Sequence, residues 1–157
     1  TGHTIGALVA VNALGMATVG DTNHLWAAPF ELNAEFGNLG PAPKMDLPDF
    51  DTKLHSHHNT TIAIIATDAD LTQAQATRMA TAAHDGMARA LIPSHTPMDG
   101  DLIFAAATGA KPLGNPLADT LYLGHAAATV MARAIARAVY AATPMEGDPL
   151  PVWQNTH

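Results

Sequence analysis

The sequence contains no cysteine, which excludes disulfide frameworks, thiol nucleophiles and thiolate metal sites. Basic residues are scarce: seven stand against fourteen acidic ones, the formal net charge is −7, and no basic run occurs. That balance argues against nucleic acid and anionic membranes as partners. No apolar stretch reaches the ~18 residues that a transmembrane helix needs. We therefore expect no membrane span, and we expect a cytoplasmic enzyme.

Charge of either sign is also scarce, at 13% of the residues, which is about half the usual share. Alanine, by contrast, occupies 32 of the 157 positions. A surface with so few charges is poorly solvated, so we expect other protein segments to cover part of it. The length suits one domain with a real core. The first residue is Thr1 rather than Met, so we expect a fragment or a processed product.

Short runs of apolar, often β-branched residues predict buried strands over residues 4–11, 60–66 and 102–108, with 60–66 as the central strand. Thr72 and Gln75 form a capping box, which predicts a helix through about residue 90. Helical spacing predicts a second helix over 118–142, with Leu121 and His125 on its apolar face. The alternation of strands and helices indicates an α/β fold with a sheet layered against helices. Three strands make a thin sheet, so we expect more strands from a segment outside this chain.

The predicted central strand is preceded by residues 40–59, where prolines, histidines and a lack of periodicity predict a long exposed loop. If the chain is cut between Asn59 and Thr60, Thr60 gains a free α-amine with a pKa near ~7.7–8.0 beside its own hydroxyl. Such an amine can act as the base for that hydroxyl. Attack of the hydroxyl on the Asn59 carbonyl would explain the cut itself. The alternative is a surface loop that simply runs into a strand.

Two further sets of residues can take part in this chemistry. Asp99 and Asp101 are two positions apart, so in an extended segment both carboxylates point to one face, where they can share a proton and pass it to a leaving amine. Asn12 ends the first strand, and its amide can donate a hydrogen bond to an oxyanion. The alternative for all three is that they are turn residues. His95, four residues before Asp99, can join the site, although its spacing does not require it.

Metal and cofactor chemistry receive little support from the sequence. Three histidines at positions 55, 57 and 58 are close enough to bind zinc or nickel, but they lie in the predicted loop and no carboxylate ligand is obvious. His84 and His125 lie on alanine-rich helices, which favours core or interface roles. No P-loop, dinucleotide fingerprint or nucleophile elbow occurs. We therefore expect neither a metal nor a cofactor.

Taken together, NTTIAIIATDADLT, HDGMARA and PSHTPMDGDLIFAAATG resemble the self-processing aminopeptidases and amidases. This family contains the β-aminopeptidases, the L-aminopeptidase/D-esterase type and the nylon-oligomer hydrolases. The resemblance extends back to IGALVAVNALG and covers nearly all of residues 1–142. It implies an αββα sandwich similar to N-terminal nucleophile hydrolases, of which this chain is an incomplete portion. It also implies a precursor cut into two associated subunits. Residues 1–59 then form the C-terminal part of the α subunit, which ends in a processing loop at about 40–59, and residues 60–157 form the β subunit of the same domain.

By position, Asn59 and Thr60 look like the processing site of this family, with Thr60 as the nucleophile. Asp99 and Asp101 match a pair that is usually Ser and Glu in the peptidase branch and two aspartates in the nylon-oligomer branch. Asn12 matches an asparagine assigned to the oxyanion site or to substrate alignment.

One departure from the family pattern concerns the α subunit. The family's α subunit is much longer, and the part missing here includes a lysine of the active site in the nylon-oligomer branch. Lys44 and Lys53 lie in the processing loop and do not match it by position.

The resemblance implies an amide-bond hydrolase similar to nylon-oligomer (6-aminohexanoate oligomer) hydrolases. Its partners would be a small amide or peptide-like oligomer as substrate, the missing N-terminal segment of the α subunit, and further copies in a tetramer of αβ units. Three alternatives stay open: an aminopeptidase that releases β- or D-amino acids, an acyltransferase of the ornithine acetyltransferase type, and an inactive structural subunit.

Overall fold

Three strands and two long helices make up most of the regular structure in the described residues, which are 1–45, 59–148 and 152–155 of a computed structural model. In chain order these elements are β1 (Ile5–Asn12), β2 (Thr60–Ala69), α1 (Gln73–Ala90), β3 (Leu102–Lys111) and α2 (Pro116–Ala141). Single turns of 3-10 helix lie at Ala28–Phe30 and Trp153–Asn155. The α/β class is therefore confirmed, as a mixed domain with helices on a small sheet.

The order of the strands determines which chain ends meet. β2 lies in the centre of the sheet, as predicted, with β1 antiparallel and β3 parallel to it. In this register Asn12 pairs with Thr60, and Ile62 pairs with Leu102. Because β1 runs in the opposite direction, its C-terminal end lies beside the N-terminal ends of β2 and β3. One edge of the sheet therefore collects residues from three distant parts of the chain.

Both helices begin at well-formed caps and pack together on one face of the sheet. The Thr72 hydroxyl accepts from the Gln75 backbone N–H and the Gln75 side chain accepts from the Thr72 N–H, so the predicted capping box is confirmed. The Asn115 side chain caps α2 through the N–H groups of its first turn. The core between helices and sheet is built from small and flexible apolar side chains, among them Ala63, Ile65, Met79, Ala83, Met87, Ile103, Ala127, Met131 and Ile135.

The predicted apolar face of α2 is wrong in its N-terminal half. Leu121 is 65% exposed and His125 is also exposed, whereas Leu123 and Ala127 are buried. An alanine-rich helix carries more than one apolar stripe, and contact with α1 selects the stripe that continues into Met131. A core role for His125 is therefore wrong, whereas an interface role stays a prediction.

The other face of the sheet is uncovered in the described structure. Five large apolar side chains point there, between 37 and 74% exposed: Leu8, Ile62, Ile64, Leu102 and Phe104. The prediction of fully buried strands is thus wrong, because inward and outward residues alternate along β1 and most of β2. A contiguous apolar surface of this kind is typical of an interface.

Some expectations concern residues that the structure does not describe. The middle of the predicted processing loop, with Lys53 and the histidines at 55, 57 and 58, lies within 46–58, outside the described residues. Neither α1 nor α2, the long helices of the described part, combines the length and apolar content that crossing a bilayer requires.

The packing of α1 against α2 leaves no space for a side chain at Gly86. A Cβ added at Gly86 of α1 would lie 2.2 Å from the backbone oxygen of Ala128 and 2.8 Å from the Cβ of Met131, both in α2. We expect Gly86→Ala to lower the free energy of unfolding by about 1–3 kcal/mol or more, because the helices must separate. Urea unfolding followed by circular dichroism measures this.

Gly124→Ala is the matched control, since it also adds a methyl group between the helices. Its Cβ would lie 3.4 Å from the Cβ of Ala82, which is ordinary contact. Alanine is favoured over glycine within a helix by about 1 kcal/mol, so no loss of stability is expected. Equal effects of the two substitutions would contradict the packing assigned to Gly86.

Candidate active site

The residues singled out by the sequence meet at one edge of the sheet. Asn12, the last residue of β1, is the direct cross-strand partner of Thr60, the first residue of β2. Directly paired residues place their side chains on the same face of a sheet, about 5 Å apart. Asn59 forms an isolated parallel bridge with Asp99, and Asp101 directly precedes β3. The topology thus brings together three segments that are distant in the sequence.

The Thr60 hydroxyl lies against the preceding peptide bond. Its Oγ1 donates to the backbone oxygen of Asn59 at 2.5 Å. The same oxygen accepts from the backbone N–H of Gly100 at 2.9 Å. Asn59 is only 6% exposed, so this carbonyl is polarised in a largely water-free environment. The predicted scissile bond therefore has a hydroxyl and a hydrogen-bond donor at its carbonyl group.

Gly100 is the site residue that the sequence reasoning missed. A Cβ at this position would lie 2.8 Å from Oγ1 of Thr60, so a larger residue would push the hydroxyl away. Its place between the two aspartates was the available signal, but a glycine between aspartates is also typical of a tight turn. The register of β2 against the segment before β3 gives Gly100 its role.

The Asp99 carboxylate joins the end of β1 to the loop before β3. Oδ1 accepts from the backbone N–H of Leu14 at 3.1 Å. Oδ2 accepts from the Thr96 hydroxyl at 2.7 Å and from the Thr96 N–H at 3.3 Å. Asp99 therefore connects residues that are 85 positions apart along the chain.

The Asp101 carboxylate joins the start of β2 to the same loop. Its side chain is 3% exposed. Oδ1 accepts from the Thr61 N–H at 2.9 Å, and Oδ2 accepts from the His95 N–H at 3.0 Å. The ring nitrogen Nδ1 of His95 lies 3.2 Å from Oδ2. His95 thus belongs to the site through Asp101.

The two carboxylates have separate partners. The hydrogen bonds of Asp99 go to Leu14 and Thr96, and those of Asp101 go to Thr61 and His95. Each carboxylate thereby holds the backbone of a different strand end. A proton shared between them stays a prediction.

Two histidines extend the site towards α1. The rings of His84 and His95 meet edge to face with their centroids 4.8 Å apart. Burial lowers the pKa of the His84 imidazole, and the neighbouring His95 lowers it further. Within the described residues, no group of three or more histidine, aspartate or glutamate side chains is arranged to hold a metal ion.

Comparison with known proteins defines the family. Residues 1–150 match peptidase family S58. The chain belongs to peptidase family S58. It is 39% identical to an uncharacterized aminopeptidase of Mycobacterium bovis and to one of Mycobacterium tuberculosis, over 95% of this chain and 47% of each relative. It is 38% identical to an uncharacterized aminopeptidase of Mycobacterium leprae, over 95% of this chain and 44% of the relative. The S58 chain spans about half the length of the curated relatives it matches.

Membership of peptidase family S58 confirms the resemblance at the level of a peptidase family. This match does not distinguish the nylon-oligomer hydrolases from the aminopeptidases within the family. In the S58 chain the predicted residues Asn12, Asn59, Thr60, Asp99 and Asp101 lie at one edge of the sheet, and their roles belong to the proposal below.

The hydrogen bonds of Asp99 generate a stability prediction for this S58 domain. In Asp99→Ala the Leu14 N–H and the Thr96 N–H and hydroxyl lose their acceptor, so we expect the free energy of unfolding to fall by about 1–3 kcal/mol. Asp99→Asn keeps one acceptor oxygen, so its free energy of unfolding should fall by less than that of Asp99→Ala. Thermal unfolding measures both. An alanine variant as stable as the parent would show that these hydrogen bonds do not hold the loop.

Proposed function

We propose that this chain carries the nucleophile of an amide-bond hydrolase, and that cleavage between Asn59 and Thr60 exposes it. The observation that supports this most strongly is the arrangement at the Asn59 carbonyl. The Thr60 hydroxyl donates to the carbonyl oxygen from one side, and the Gly100 N–H donates to it from another. Acyl transfer requires a nucleophile beside the carbonyl group and a donor to its oxygen, and this peptide bond has a hydroxyl and a backbone N–H in those places.

The first reaction is the cleavage of the chain. Oγ of Thr60 attacks the carbonyl carbon of Asn59 and loses its proton, and negative charge develops on the oxygen that already accepts from Gly100. The carbon–nitrogen bond then breaks, and the Thr60 nitrogen takes up a proton. The product is an ester between Asn59 and Oγ. Water hydrolyses this ester and releases the carboxylate of Asn59, together with the free amine and hydroxyl of Thr60.

The second reaction is turnover. The α-amine of Thr60 belongs to a class of group whose ordinary pKa is about 7.7–8.0, and it takes the proton from Oγ as Oγ attacks the substrate carbonyl. We assign the Asn12 amide and the Gly100 N–H as donors to the oxyanion, because both residues border Thr60. The protonated amine then gives a proton to the departing amine. Water hydrolyses the acyl-enzyme and restores the free threonine.

We assign Asp99 and Asp101 to the orientation of the Thr60 amine and to proton transfer. Asp101 accepts from the N–H of Thr61, so it determines how the first peptide of the cleaved chain is directed. Asp99 holds the backbone two residues after Asn12. Both carboxylates therefore act on the backbone that carries the reacting groups.

The uncovered face of the sheet also carries the proposed nucleophile. Thr60 shares this face with Ile62 and Ile64, and Asn12 shares it with Leu8, because side chains alternate along a strand. We propose that protein outside this chain forms the second sheet of an αββα sandwich over this face. That layer would supply further active-site residues, among them the lysine expected in the nylon-oligomer branch.

Two substrate classes fit this site. The Asp-Gly-Asp sequence at 99–101 resembles the aspartate pair of the nylon-oligomer branch and therefore favours oligomers of 6-aminohexanoate. The names of the relatives favour an aminopeptidase, since each is named as one. We place the 6-aminohexanoate class first, because the aspartate pair belongs to the site itself.

The nucleophile is tested by the mass of the purified full-length protein. We expect the parent to separate into two chains, one ending at Asn59 and one beginning at Thr60. Thr60→Ala and Thr60→Val should remain single chains without amidase activity, because the attacking hydroxyl is gone. Thr60→Ser should still be cut.

Thr108→Val serves as the control. This substitution removes a hydroxyl from an exposed position in the C-terminal half of β3, away from the strand ends that meet at Thr60. The variant should be cut like the parent. Full activity of an uncut chain, or cleavage of Thr60→Ala at the same bond, would overturn the proposal.

The substrate class is tested by initial rates of the full-length enzyme. We expect kcat/KM for 6-aminohexanoate oligomers to exceed that for β-alanyl and D-alanyl amides by at least about tenfold. The reverse ratio would support an aminopeptidase and remove the first assignment while leaving the nucleophile intact.

A further inference from the structure

His95 holds one oxygen of the Asp101 carboxylate at two points. Its backbone N–H donates to Oδ2 at 3.0 Å, and its ring nitrogen Nδ1 lies 3.2 Å from the same oxygen. The backbone hydrogen bond and the close ring nitrogen together restrict the carboxylate more tightly than the hydrogen bond alone. The Asp101 side chain, at 3% exposed, has little room for another rotamer.

The backbone of His95 is shaped for this contact. Its φ angle is +56°, in the left-handed region that only a few per cent of residues other than glycine adopt, chiefly asparagine, aspartate and histidine. Strain of this kind persists when the surrounding contacts require it. Here the conformation accompanies the contact of both the N–H and the ring with Asp101.

The other side of the His95 ring is attached to α1. Nε2 lies 3.3 Å from the backbone oxygen of His84, and the two rings are in edge contact. The ring is therefore placed between a helix and the carboxylate. Movement of Asp101 would require the loss of contacts on both sides of the imidazole.

The second oxygen of Asp101 connects the held carboxylate to the residue that follows the proposed nucleophile. Oδ1 accepts from the N–H of Thr61, whose side chain is fully buried on the helix side of the sheet. That N–H belongs to the peptide that joins Thr60 to Thr61. When this peptide is held, the direction of the Thr60 side chain towards the Asn59 carbonyl is held with it.

We propose that His95 is a positioning residue, which locks Asp101 so that Asp101 orients the Thr60–Thr61 peptide for attack. This inference rests on the proposed role of Thr60 as nucleophile. His95 touches neither the scissile carbonyl nor Oγ of Thr60 in this assignment. Its effect passes through one carboxylate and one backbone N–H.

Three substitutions in the full-length protein test the role. His95→Gly suits the positive φ and keeps the backbone N–H, but it removes the ring. His95→Asn tolerates the same φ and keeps a side-chain N–H donor for Asp101. His125→Asn removes an exposed imidazole from α2 and is the control. If the glycine variant does not fold, His95→Ala replaces it.

The first measurement is the rate of cleavage between Asn59 and Thr60. We expect His95→Gly to be cut about tenfold more slowly than the parent, since the contact of the ring with the charged Asp101 carboxylate is lost. His95→Asn and His125→Asn should stay within about threefold of it. In turnover, kcat should fall for the glycine variant while KM is kept. Cleavage of His95→Gly at the parental rate, or equal slowing of the glycine and asparagine variants, would overturn the proposal.

The second measurement does not depend on cleavage. In a Thr60→Ala background, the hydrogen exchange of the Thr61 amide should be about tenfold faster with His95→Gly and unchanged with His95→Asn. Unaltered protection in the glycine variant would overturn the role of His95. If the parent is not cut at all, the assignment of Thr60 fails, and the exchange result alone then decides whether His95 orders the Thr61 peptide.

Discussion

Everything at the candidate active site depends on the meeting of three strand ends at one edge of the sheet. β1 arrives there with its C-terminus, and β2 and β3 depart from it. Where strands end, backbone N–H and C=O groups no longer face a neighbouring strand. Such groups lower the stability of the fold if they are buried without a hydrogen bond. The carboxylates of Asp99 and Asp101 supply the missing acceptors for Leu14 and Thr61. The same two side chains therefore accept backbone hydrogen bonds at the strand ends and belong to the candidate site.

The site is built to a large extent from backbone groups. The carbonyl of Asn59 and the N–H groups of Gly100 and Thr61 are held in defined directions by the strand register and by Asp101. The hydrogen bonds to Asn59 and Thr61 keep these backbone groups in fixed directions at the end of the sheet. A reaction that needs a donor near a developing oxyanion gains from this rigidity. The small size of Gly100 then leaves the space that the Thr60 hydroxyl occupies.

The composition and the open sheet face have a common explanation in the proposed sandwich. A domain with 13% charged residues and five large apolar side chains on one exposed face is suited to burial on that face as well as against its own helices. The face includes the positions of Thr60 and Asn12. A layer packed over it would bury the apolar side chains and enclose the nucleophile at the same time, so stability and substrate binding would depend on one interface.

Local signals establish a large part of this protein. β-branched runs specify the strands, the Thr72–Gln75 capping box specifies the start of α1, and the loop-to-strand junction marks Thr60, because each signal acts over a few neighbouring residues. The buried stripe of α2 was not readable in this way, since alanine fits either stripe and only contact with α1 selects one. The contacts of Gly100 and His95 were likewise decided by the assembled sheet. Gly100 meets the Asn59 carbonyl through a strand register, and His95 meets Thr61 through a carboxylate that joins residues 40 positions apart. Contacts between residues so far apart in the sequence depend on the order of the strands in the sheet. The spacing of residues along the chain does not predict that order.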